Sequence, residues 1–136
     1  MGLAERRAAK EFREQHFPAL EAEIRAAAGF DLALEVDWDS LAKEDYASMY
    51  AESWPKVYFQ PLIESLKSIT RDDLGREALA GGLTRVVIRN TTGYYSPYSA
   101  IKFEGKVLTI DHDPVTNIDD VNDRTEHMTK LLEKSL

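Results

Sequence analysis

Ala9, Phe12, His16, Leu20, Ile24 and Ala27 recur at three- and four-residue steps between Leu3 and Ala28, with Arg and Glu between them, which predicts an amphipathic helix. Pro18 has no amide donor and crowds the turn before it, so a kink or break is expected near His16, and Gly29 is a suitable stop. The pattern then changes period. Leu32, Leu34, Val36 and Trp38 alternate with Asp31, Ala33, Glu35 and Asp37, the signature of a half-buried strand with one wet face.

Asp39 or Ser40 is placed to cap a second helix running to about Glu52, with Leu41, Tyr46, Met49 and Tyr50 on its mixed face. Pro55 and Pro61 do not both fit one undistorted helix, so a break is expected across residues 53–60. Pro61 then suits a first helical turn, followed by the apolar face Leu62, Ile63, Leu66 and Ile69. Thr70 and Asp73 resemble a capping arrangement that opens a further short helix through Ala80, closed by Gly81-Gly82.

LTRVVIRN (residues 83–90) reads as a strand with Val86 and Ile88 on one face and Arg85, Val87 and Arg89 on the other. Apolar character on both faces predicts a central place in the sheet. After a loop rich in Gly, Ser and Pro, SAIKFEGKVLTIDHD (99–113) reads as a hairpin turning at Glu104-Gly105. That turn sets Phe103 opposite Lys106, Ile101 opposite Leu108 and Ser99 opposite Ile110, with Ile101, Phe103, Leu108 and Ile110 on one face. A last helix, capped by Asn117 or Asp119 and carrying Ile118, Val121, Thr125, Met128 and Leu132, is the expected cover. The order α-β-α-α-α-β-β-β-α predicts one α+β domain over 1–136: a mainly antiparallel four-stranded sheet, its last three strands a meander, with helices packed on one face.

Composition narrows the class. The chain is long enough, and at 43% hydrophobic residues apolar enough, to bury a single core without staples. It has no cysteine, which excludes disulfides, thiolate metal ligands and cysteine nucleophiles. With neither an apolar leader behind a basic tip nor a run of membrane-spanning length, a cytoplasmic protein without membrane contact is expected. A net charge of −7 disfavours nucleic-acid binding and suits solubility or a basic protein partner.

Three constellations are candidates for function. Asp111-His112-Asp113, followed by Asn117, Asp119, Asp120 and Asp123, offers hard oxygen ligands and an imidazole for a divalent ion or for acid–base work. Asp-Pro, Asn and the clustered acids are also ordinary turn and helix-start residues, and a calcium loop starting at Asp111 would need glycine where Thr116 stands. Tyr94, Tyr95 and Tyr98, beside Arg85 and Arg89, are residue types that dominate binding surfaces, and equally types that cover a sheet edge. Glu35, Asp37 and Asp39 line the wet face of the first strand and would suit a basic ligand if that face is open.

No phosphate loop, serine elbow or four-residue histidine pair is present, and no family signature emerges. The expectation is a non-enzymatic interaction module without cofactor or metal. Its profile is compatible with small acidic immunity, antitoxin or secretion-chaperone proteins, binding through the tyrosine loop or the sheet surface. The alternative is a metal-assisted hydrolase centred on Asp111, His112 and Asp113.

Overall fold

The expected kink of the first helix is real, but the chain bulges there instead of breaking. In the computed structural model, which describes residues 2–136, α1 (Leu3–Glu11) passes through a π-helical turn at Phe12–His16 into α2 (Phe17–Ala28). The Phe17 amide reaches back five residues to the Phe12 carbonyl. Pro18 follows immediately and has no amide to compete for the ordinary four-residue acceptor, so the wide turn is tolerated there. Gly29, at φ 85°, then ends α2.

β1 (Ala33–Val36) follows, and α3 (Trp38–Leu41) is only one turn long. Its cap is Asp37, which accepts from the Ser40 amide at 3.3 Å, in place of Asp39 or Ser40. The single helix expected to run to Glu52 does not form. The Lys43 carbonyl accepts from the Tyr50 hydroxyl at 2.7 Å, and Asp45 adopts φ 71°, both incompatible with continuing the helix. A 3-10 turn (Ala47–Met49) leads into α4 (Tyr50–Trp54), a second π-turn (Pro55–Phe59) and α5 (Gln60–Ile69), with Pro61 placed as Pro18 is in the first. Asp72, not Thr70, caps α6 (Asp73–Gly82), accepting from Gly75 N–H at 2.8 Å; the Thr70 hydroxyl donates to the Ala27 and Leu66 carbonyls instead.

β2 (Arg85–Arg89), the short α7 (Pro97–Ala100), β3 (Ile101–Glu104), β4 (Val107–Asp111) and α8 (Val121–Ser135) complete the chain. Asp120 occupies the start of α8 where Asn117 or Asp119 was expected. The strand order is β1-β2-β4-β3, with β1, β2 and β4 mutually parallel and only β3 antiparallel. The sheet is therefore mixed, not mainly antiparallel, and its last three strands are not a meander. The helical excursion between β1 and β2 is long enough to carry the chain back to the starting end of the sheet, as a parallel pair requires, whereas the tight turn between β3 and β4 returns it antiparallel.

The hairpin keeps its predicted inward face but shifts register by two residues. Gly105 and Lys106 both take positive φ, 57° and 65°, which makes them the central pair of the turn. Phe103 thus faces Leu108 and Ile101 faces Ile110. These residues share one face with Leu34, Val36, Val86 and Ile88, and the helices bury it. The opposite face carries Glu35, Arg85, Arg89, Lys102 and Glu104 in the open, although parallel strands are usually covered on both sides.

The two π-turns meet in the core. Phe12 stacks on Phe59 with ring centroids 6.0 Å apart, and Phe17, Trp38, Tyr50 and Trp54 extend the aromatic cluster around them. Arg124 of α8 is fully buried and donates to the carbonyls of Asn117, Ile118 and Lys56, tying the loop before α8 to the second π-turn. Among the described residues no helix is long and apolar enough to cross a membrane.

Candidate functional site

Parallel pairing brings the carboxyl ends of β1, β2 and β4 to one edge of the sheet, where open α/β sheets present their sites. Because β4 lies between β2 and β3, the connection from β2 to β3, residues 90–100, must pass over the end of β4. That end is Asp111-His112-Asp113, and the connection contains Tyr94, Tyr95 and Tyr98. Two candidates that are separate in sequence thus become one structure, with the acidic motif beneath the tyrosine loop.

Asp111 is 6% exposed and accepts from Arg89 Nε at 2.9 Å, Thr91 N at 2.8 Å, Thr91 Oγ1 at 2.5 Å and Thr92 Oγ1 at 3.3 Å. Burial pushes its carboxyl pKa up, but the Thr91 hydroxyl and amide and the Arg89 guanidinium outweigh it and hold the group below its ordinary value. Asp113 donates its backbone amide to the Tyr94 carbonyl at 2.6 Å, while its carboxylate takes Lys43 Nζ and the Val115 amide, each at 2.8 Å. Burial raises this pKa too, yet Lys43 and the Val115 and Thr116 donors leave it lowered. Farther along, Asn117 Nδ2 donates to the Tyr95 carbonyl at 2.9 Å.

His112 is fully buried, with the Tyr95 and Asp113 backbone among the groups around its ring. Its Nδ1 lies 2.6 Å from the Asp113 carbonyl, an acceptor only, so Nδ1 carries the proton and Nε2 is left with no hydrogen-bond partner. The His112 carbonyl accepts from the Tyr58 hydroxyl, and the His112 amide donates to the Arg89 carbonyl. Burial lowers the imidazole pKa, and the nearby Arg124 charge adds to this against the pull of the Asp113 carbonyl and carboxylate. The ring is a neutral packing element.

The structure therefore distributes the expected catalytic trio among different tasks. Asp111 and Asp113 clamp backbone on the exposed side, His112 fills the core, and among the described residues no three His, Asp or Glu side chains converge to hold a metal ion. Asp119 pairs with Lys56 at 2.9 Å. Arg89 sits beside the tyrosine loop, bound to Asp111. Arg85 opens β2 at the far end of the strand and pairs with Glu35 at 2.7 Å. Asp37 is used as a helix cap, and Asp39 is exposed in the first turn of α3. The acidic stripe is thus mostly engaged.

The tyrosines are not. Tyr94 is 39% exposed, Tyr95 62% and Tyr98 79%, and the Tyr98 ring stands edge-on to His127 of α8 at 4.8 Å. Thr91, Thr92 and Lys43 escaped the sequence reading, although they hold the loop, and Asn117 was singled out as an oxygen ligand or helix cap where it holds the Tyr95 carbonyl. Only the Thr91-Thr92 pair gave a signal, as hydroxyls next to a turn. No family model matches the chain, and neither the curated proteins nor the solved structures contain a significant match.

Proposed function

We propose that this protein is a non-enzymatic interaction module that binds a partner protein through the Tyr94–Tyr98 loop. One observation carries the reading: three exposed tyrosines ride on a backbone fixed at both ends by Asp111, Asp113 and Asn117. Tyrosine combines large contact area with few rotatable bonds, and a loop ordered in advance loses little entropy when it docks. The net charge of −7, with exposed Asp123 lining the same depression as Tyr98, favours a basic partner.

A photo-crosslinking phenylalanine analogue at position 95, compared with one at Lys134, tests the surface in native-host extract. A discrete partner crosslinked from position 95 alone, and released about 30-fold more readily by the Tyr94→Ala/Tyr95→Ala double variant, is the expected outcome. A partner held equally well by the double variant would exclude this loop.

A further inference from the structure

A second site lies at the same sheet edge, on the far side of β1 from the tyrosine loop. Arg6, Ala9, Lys10, Arg13 and Glu14 form one wall of a groove of about 450 Å³, and Trp38 and Asp39, just after β1, form the other. This volume falls within the range of small-molecule sites. The three cations follow one face of α1 and the first π-turn at steps of four and three residues, so they form a row about 10 Å long.

The row is electrostatically unspent. Among the described residues, neither Arg6 nor Arg13 has a carboxylate within 4.0 Å, and Lys10 touches Glu14 only at 3.9 Å with both side chains largely exposed. Like charges at these helical spacings repel one another, and Arg6 lies near the helix start, where the dipole also disfavours a cation. The lining holds three cations against two carboxylates, Glu14 and Asp39, and among the described residues neither arginine pairs with either of them. An anion in the groove removes that repulsion.

The other wall restricts what kind of anion fits. Trp38 is partly exposed, its inner side packed on Phe12, Phe17, Trp54 and Phe59, and supplies a rigid aromatic surface; Asp39 is exposed, and among the described residues its carboxylate has no donor. We infer that the groove binds a nucleoside di- or triphosphate, with the phosphates along Arg6, Lys10 and Arg13, the base against Trp38 and a sugar hydroxyl or base amine on Asp39. Guanidinium groups bind phosphate oxygens in pairs, and a row of three cations matches a chain of phosphates better than a single one.

The test is calorimetric titration of the full chain with ATP and GTP, alongside AMP, inorganic tripolyphosphate and hexaglutamate, with tryptophan fluorescence followed in parallel. Trp54 is fully buried and lines no part of the groove, so quenching that disappears in Trp38→Phe reports the site. The expected result is saturable ATP or GTP binding, about tenfold weaker in Arg6→Ala and in Arg13→Ala and unchanged in Arg7→Ala, an exposed cation outside the groove. Both groove arginines are exposed, so their removal leaves the fold intact by circular dichroism. Tripolyphosphate binding as tightly as ATP would overturn the role of Trp38. Hexaglutamate binding as tightly would make the groove a peptide site, and no nucleotide binding at millimolar concentration would overturn the inference outright. The Tyr94→Ala/Tyr95→Ala variant should bind nucleotide normally, which separates this site from the proposed partner surface.

Discussion

Replacing Asp111 by alanine tests whether the acidic motif serves the loop. The carboxylate accepts four hydrogen bonds, and bonds to a charged group each contribute about 1.5–3 kcal/mol in isolation. They do not sum. Arg89 is 44% exposed and returns to water when its partner goes, so its share falls to that of a surface pair, about 0–1 kcal/mol. Thr91 and Thr92 are also exposed and resolvate. The expected loss is therefore about 2 kcal/mol by urea denaturation, with the sheet unchanged.

The loss should be local in hydrogen exchange. The amides of Thr91, which donates to Asp111, and Asp113, which donates to the Tyr94 carbonyl, should exchange faster while those of β2 and β4 stay protected. The pH dependence is fixed in sign: because the folded pKa lies below the unfolded one, the stabilisation is complete above the unfolded value and is lost as pH falls from about 4 through the folded pKa. Asp111→Ala should flatten part of this acid limb, leaving the part due to Asp113. A variant as stable as the parent, with unchanged Thr91 exchange, would refute the anchoring role.

His112 gives a second pH window. It stays neutral when folded, so stability should fall as pH drops below about 6.5 and the unfolded chain takes up the proton first; in His112→Leu most of this slope should vanish from urea midpoints measured between pH 8 and 5. At Gly75, an added Cβ would stand 1.7 Å from the Ile69 carbonyl oxygen, a backbone atom that cannot swing aside, so Gly75→Ala should destabilise by about 2 kcal/mol or more in thermal unfolding.

Residue periodicity was enough to place the four strands, the inward hairpin face and the two proline-linked distortions, since all of these depend on local chemistry. It was not enough to place β4 between β2 and β3, because strands in either order bury the same Val86, Ile88, Leu108 and Ile110 face. The hairpin register failed for a similar reason: nothing in the sequence marks Lys106, an ordinary residue, as the one that accepts a left-handed conformation. The site was half legible. Both the tyrosines and the Asp-His-Asp run stood out by residue type, but their union depends on strand order, and Lys43, 70 residues from Asp113, carries no local mark of that partnership.

The π-turns give the groove a property of phase. Each holds one residue more than an α-helical turn but covers about the same angle and rise, so deleting a single residue within Phe12–His16 would convert it to ordinary helix and leave the residues before it facing as they do. Arg6, Ala9 and Lys10 would stay opposite Trp38, whereas one residue removed from the regular helix of α2 would turn them away by about 100°. The wide turn is thus the one place where the first helix can lose a residue without changing the direction it faces.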